Sequence, residues 1–250
     1  MNDVLVKVTD LAVQKLGAQY AEARAQERFK TSFTMKEGRV EAAKQGIENG
    51  TAVRVLVNGA WGFASVSSMD TEILTKAISD ACAMAKAASL RLKTPIKLAT
   101  VKPVEDRVEV KPKKDPSEVS IEDKIKMATT INDLTLNKDR RVKSCTVDYL
   151  DLMGTNYFVN SDGSRIEQDK LYIWSRITAS TQQDNIFTFS REEMGATSGY
   201  EFFDTQTPEV ISDRLVKRAV DQLNAKAPKG GIFPVVLGPN VVGVFVHEAF

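Results

Sequence analysis

The chain has 250 residues, 42% of them hydrophobic and 27% charged, with 34 Lys and Arg against 33 Asp and Glu for a formal net charge of +1. This length supplies ample chain for one large domain or two small ones. The near-neutral balance argues against a dedicated nucleic-acid or membrane-surface binder, which would carry a basic excess.

The amino-terminal stretch MNDVLVKVTD lacks a basic segment followed by an apolar one, so no secretory leader is expected. No apolar run approaches the ~18 residues needed to span a bilayer. Cys82 and Cys145 lie far apart in the sequence and are most simply reduced thiols. A cytoplasmic location follows as the expectation.

Thr9-Asp10 gives a cap signal for a first helix over residues 10–18. From Tyr20 the period changes: Tyr20, Glu22, Arg24 and Gln26 alternate with Ala21, Ala23 and Ala25, and a long strand continues to Met35. Glu37-Gly38 reads as a turn into a short strand over residues 39–44, and residues 45–50 as a loop containing two glycines. Asn58-Gly59 between the apolar runs 52–57 and 60–65 signals a tight hairpin. In that hairpin Trp61 and Phe63 are expected to be buried.

Ile73, Leu74, Ala77, Ile78, Ala81, Met84, Ala85 and Ala88 place one apolar face on a helix over residues 70–90. Prolines 95, 103, 112 and 116 mark a linker or edge segment, and the basic cluster Lys111 to Lys114 within it reads as solvated. Ser120 with Asp123 resembles a capping box opening the next helix. Residues 141–190 read as three or four antiparallel strands around a turn at residues 161–164. Arg191-Glu192-Glu193 reads as a solvated charge run, and residues 195–200 as a surface loop. Thr207-Pro208-Glu209 starts a helix that its apolar stripe carries to about Ala225.

The last stretch is IFPVVLGPNVVGVFVHEAF. Its residues 232–237 read as a short buried strand, Gly238-Pro239-Asn240 as a turn, and Asn240 as the cap of an apolar helix over residues 241–250. That helix holds His247, the only histidine of the chain, followed by Glu248. An imidazole with an adjacent carboxylate on an apolar helix is how many zinc peptidases begin their metal site, with the carboxylate as general base. A catalytic zinc needs about three protein ligands plus a water, and neither cysteine has ligand-like spacing to His247. No complete metal site is expected from these residues. The elements together predict an α+β fold: a largely antiparallel sheet with helices packed on one face, followed by the first strand and helix of a further, β-rich domain.

Three segments, Tyr20 to Arg24 with the following Gly38 turn, GTAVRVLVNGAWGFAS at residues 50–65, and PVVLGPNVVGVFVHEAF at residues 234–250, resemble the TldD/PmbA family. Its members are zinc metallopeptidases also described as modulators of DNA gyrase. The resemblance implies a metal-binding motif His-Glu-x-x-x-His, in which His247 is the first zinc ligand and Glu248 the catalytic base. The second histidine, five positions after His247, and a cysteine further on would complete the site. On a regular helix five residues rotate a side chain by about 500°, ~140° away from the first ligand, so the helix is expected to distort or end within the motif.

The resemblance further implies a dimer with a second TldD- or PmbA-like subunit, acting on short or unfolded peptides. Residues 1–225 would form the amino-terminal α+β domain, and residues 226–250 the incomplete start of the metallopeptidase domain. On this reading the chain is the amino-terminal portion of an enzyme, inactive alone and not expected to hold zinc stably. The alternative is a non-catalytic assembly or substrate-guiding subunit resembling PmbA, also called TldE. Direct DNA binding is not expected.

Overall fold

The computed structural model describes residues 1–250. One seven-stranded sheet organises the chain. Its path runs β3 (Ala60–Val66), β2 (Arg39–Val57), β1 (Tyr20–Lys36), β5 (Val142–Asn160), β6 (Arg165–Gln183). The outer edge of β6 is shared: β4 (Glu105–Val108) pairs parallel with residues 165–168, and β7 (Ile186–Ala196) pairs antiparallel with residues 173–183. Every other ladder is antiparallel.

The alternation of β1 sets the two faces. Ala21, Ala23 and Ala25 point to the side covered by α1 (Asn2–Gln14) and α2 (Thr71–Ser89), where they join Val53, Val55, Leu74, Ile78 and Ala81 in one core. Fully burying a Leu or Ile side chain stabilises by about 1.5–3 kcal/mol. Further along the same face, Phe33 and Met35 join Val147, Tyr149, Ile173 and Ile177 in a second core beneath α3 (Ile121–Lys138) and α5 (Pro208–Leu223). Because β1 and β5 pair without a register shift from Glu22↔Asn160 to Lys36↔Thr146, both cores lie on one face at opposite ends of the long strands. All four helices therefore cover one side, and the α+β expectation holds.

The caps at residues 120 and 207 form as expected, and Asp70, read as part of the helix, caps it instead. Asp70 accepts from the amides of Glu72 and Ile73, Ser120 from Asp123, and Thr207 from Val210 ahead of α5, which carries Pro208 in its first turn. These bonds satisfy amides that a helix start leaves without partners. The Asn58-Gly59 and Glu37-Gly38 turns also form, with both residues of each at positive φ. The proline-rich segment supplies β4 as an edge strand, and Pro116 starts a short 3-10 turn.

Several expectations fail for identifiable reasons. The first helix starts at Asn2, and Thr9 lies inside it with its hydroxyl donating to the Leu5 and Val6 carbonyls instead of capping. Residues 39–57 form one strand, since the ladder to β1 continues through Gly46 and Gly50 with its only register shift at Thr34/Met35. Residues 232–237 are not a strand, because no neighbouring edge supplies their backbone partners, and they are exposed. The terminal helix, α6 (Pro239–Ala249), is capped by Gly238, not Asn240. Pro239 has no N–H to be satisfied and carries φ suited to the first helical position.

Three side-chain expectations change as well. Phe63 is 57% exposed, on the sheet face away from the helices. The charge run is not wholly solvated: Glu192 turns toward α5 and takes Arg214 at 3.0 Å and Arg218 at 3.1 Å. Lys114 does not float in a linker either. Its Nζ meets Asp204 at 2.5 Å, its amide donates to Glu201, and its carbonyl accepts from the Tyr200 amide, fastening the segment to the one-turn helix α4 (Phe202–Thr205).

Candidate functional site

His247 and Glu248 stand in the last turn of α6, which buries none of its residues. Its apolar side chains Val241, Val244, Phe245 and Val246 are exposed, as is the whole segment from Asn224 onward. Adjacent residues on a helix point about 100° apart, so the imidazole and the carboxylate diverge from a common turn. No group of three or more His, Cys, Asp or Glu side chains in the structure could hold a metal ion.

The cysteines do not extend the ligand set. Cys82, on α2, faces the first core, where burial pushes its thiol pKa up against the weaker opposing effect of Lys86. Burial pushes Cys145, in the second core, up to about 12, only partly opposed by a hydrogen bond with Thr135. Both are neutral thiols, and a metal ligand must be a thiolate. The residues present thus offer one imidazole and one carboxylate, short of the three protein ligands of a catalytic zinc.

A second constellation, absent from the sequence reading, occupies the helix-free face of the sheet. Glu22 is nearly buried there and accepts from the Tyr20 hydroxyl at 2.7 Å. It also pairs with Arg54 at 3.0 Å and with Arg24 at 3.4 Å. Burial pushes its carboxyl pKa up, but the hydrogen bonds from Tyr20 and Arg54 outweigh this and hold it below the usual range. Each arginine also lies over an aromatic ring, Arg24 over Phe158 at 4.6 Å and Arg54 over Trp61 at 4.5 Å. Beside this cluster a cavity of about 740 Å³ opens where β3 ends against the middle of β2, lined also by β1, β5 and β6. The alternation of Tyr20, Glu22, Arg24 and Gln26 was the available signal. One strand shows only half of a ladder, however, and Phe158 and Gln168 arrive from more than a hundred residues away.

A third polar centre lies on the helix side, between the two cores. Lys124 of α3 is wholly buried and pairs with buried Asp151 at 2.6 Å. Asp151 also accepts from the Tyr149 hydroxyl at 2.6 Å, and Lys124 donates to Thr31 at 3.3 Å. Burial, followed by the Asp151 charge and hydrogen bond, pushes the Tyr149 phenol far above its ordinary range. This group anchors α3 to the sheet.

Comparison with known proteins defines the class. The model of PmbA/TldA metallopeptidase domain 1 matches residues 21–85, and that of the PmbA/TldA metallopeptidase central domain matches residues 114–223. The chain belongs to the PmbA/TldD family. The two matches correspond to the two cores, and β1 runs beneath both, so the two modules share one sheet.

Among curated relatives, a metalloprotease of Methanothermobacter thermautotrophicus is 30% identical over 92% of this chain and 49% of its own length. A zinc metalloprotease TldD homolog of Saccharolobus solfataricus is 27% identical over 94% of this chain and 50% of its own. The chain therefore spans about half the length of the curated relatives it matches. In fold it is similar to a Bacteroides thetaiotaomicron crystal structure described as a modulator of DNA gyrase, with TM-score 0.74 and 17% identity over 91% of this chain and 51% of that one. TldE from Thermococcus kodakarensis gives TM-score 0.72 and 16% identity over 87% of this chain and 47% of that one. No helix is long and apolar enough to cross a membrane.

Proposed function

We propose that the chain is the amino-terminal portion of a TldD-type zinc metallopeptidase acting on short or unfolded peptides in the cytoplasm. Residues 1–225 form its amino-terminal domain, and residues 226–250 begin the domain that carries the metal. His247 contributes one metal ligand and Glu248 the neighbouring carboxylate base. The site is incomplete without ligands from outside these residues, and the chain alone does not hydrolyse peptides. The observation that carries this reading is the apolar, unpacked helix α6 bearing the only histidine next to a glutamate, in a chain whose relatives include a zinc metalloprotease TldD homolog. Exposed apolar helices of this kind mark a surface that another unit covers. A second TldD- or PmbA-like subunit completes the assembly.

The test is the zinc content and peptidase activity of the protein isolated from its cells with whatever co-purifies. The wild type carries zinc, and His247→Ala removes it. Glu248→Gln retains zinc and lowers peptide hydrolysis by about a hundredfold or more, the scale of a positioned general base. Zinc retained in full by the His247→Ala protein overturns the assignment. A second reading, a non-catalytic guiding subunit of a dimeric peptidase, draws on the presence of only one candidate ligand histidine and the fold shared with TldE. Zinc residing wholly in a co-purifying partner favours that reading.

A further inference from the structure

The sheet ends on one side at β7, whose far edge pairs with no strand. The free N–H and C=O groups of such an edge accept another strand unless charges, bulges or a cover blunt it. Ile186, Phe187 and Phe189 on β7 are 51%, 71% and 59% exposed. For Phe187 and Phe189, β6 supplies only Gln182 and Ser180 as cross-strand neighbours. Arg191, next on the same face, is exposed, and its guanidinium has no carboxylate partner in the chain. On the helix side Ser190 is 2% exposed, and its hydroxyl has no hydrogen-bond partner. Buried hydroxyls are normally partnered, so Ser190 marks a group that the single chain leaves unsatisfied.

A second copy of β7 is the strand this edge fits. Two identical strands pair antiparallel about a twofold axis perpendicular to the sheet, and residues opposite each other share a face. Only a register that sets one residue against its own copy meets both conditions. Arg191, Glu192 and Glu193 are excluded at the axis, because like charges would stand directly opposed. Phe189 at the axis sets apolar Ile186 against Glu192, and Thr188 or Met194 there shortens the ladder. With Ser190 at the axis the ladder runs from Ile186 against Met194 to Met194 against Ile186.

In that register the opposed side chains are complementary, and symmetry makes each pair twice. The two Ser190 hydroxyls face each other and can hydrogen-bond across the axis. Phe189 takes Arg191 of the partner subunit as a cation–π pair. Thr188 faces a Glu192 whose charge is offset by Arg214 at 3.0 Å and Arg218 at 3.1 Å. Phe187 faces a Glu193 that already accepts from the Trp174 indole at 3.1 Å. The Arg191 carbonyl accepts from Arg218 at 2.9 Å and keeps a second lone pair for an incoming amide.

We propose that β7 is the contact between two copies of this chain, joined edge to edge about a twofold axis at Ser190 into one continuous sheet. The inference rests on the second subunit required by the proposed function and identifies it as a second copy. Zinc content and peptide hydrolysis report the metal site, whereas association reports this edge, so each reading fails by its own measurement.

Analytical ultracentrifugation of the full chain over a range of concentrations tests it. The wild type sediments as a reversible dimer. Phe189→Lys sets a cation against Arg191 of the partner subunit, and symmetry counts the change twice, so the dimer weakens by at least about tenfold. Combining Phe189→Lys with Arg191→Glu sets opposite charges face to face in this register alone and restores association. Both residues are exposed, so wild type and both variants share one circular dichroism spectrum and one urea midpoint. Phe245→Lys on α6 and Ile47→Lys on the open stretch of β2 leave the dimer unchanged. The proposal is overturned by a chain monomeric at every concentration, by a dimer that Phe189→Lys leaves intact, or by a double variant that does not associate. Dissociation by Phe245→Lys or Ile47→Lys also overturns it and assigns the contact to α6 or β2.

Discussion

Removing the charge of Lys124 with Lys124→Met is the sharpest test of how α3 is held to the sheet. The replacement keeps nearly the same length and apolar volume, so core packing is retained and the loss is electrostatic. Asp151 then keeps only the Tyr149 hydroxyl on one oxygen, while its other oxygen, Oδ1, already has no partner. A carboxylate 1% exposed with a single hydrogen bond is an uncompensated buried charge, and breaking such a pair costs about 3–5 kcal/mol. Measured against a domain stability of about 5–15 kcal/mol, this is a large fraction of the whole. Urea unfolding followed by circular dichroism should show the midpoint falling sharply with the slope unchanged. The double variant Lys124→Met with Asp151→Leu removes both charges together and should regain most of the loss. A single variant costing below about 1 kcal/mol, or a double variant with additive losses, would refute the claim that the pair is buried and coupled.

Three further outcomes follow from the same structure. Glu22 has a folded-state pKa below its unfolded value, so its stabilising contribution is complete above the unfolded value of about 4.3 and is lost as pH falls through the folded one. Urea midpoints of wild type should therefore drop more steeply between pH 5 and about pH 3 than those of Glu22→Gln, and parallel profiles would contradict the assigned hydrogen bonds. Cys82 and Cys145, both buried with raised thiol pKa values, should react with a disulfide reagent at pH 8 only after denaturant is added, and rapid native labelling would show that a core opens. Gly62→Ala places a Cβ 1.9 Å from the Ala81 carbonyl oxygen of α2, forcing the helix off β3 at about 1–3 kcal/mol by the scale of overpacked cores. An unchanged unfolding midpoint would contradict that close approach.

How much was legible depended on whether the signal was local. Caps at Ser120 and Thr207 are satisfied by amides three residues away, and the Asn58-Gly59 turn by its own backbone, so each could be read directly. The start of α1 could not, because Met1 makes no side-chain cap bond and nothing in the sequence marks the boundary. The continuity of β2 through Gly46 and Gly50 comes from β1, whose ladder holds weak strand formers in extended conformation.

Residues 232–237 are the converse case. Their apolar run has strand propensity, yet without a partner edge it forms none. The site divides the same way. His247-Glu248 is a contiguous pair visible at a glance, whereas the Arg24 cavity and the Lys124–Asp151 pair join residues distant in sequence through β-pairing and helix docking. Only the assembled sheet brings those together.

The reading frame immediately beyond the codon for Phe250 tests the central claim most directly. The account predicts that the frame continues, with histidine as its second residue, five positions after His247, and a cysteine well downstream. A frame without that histidine would contradict the assignment of His247 as the first ligand of a zinc site.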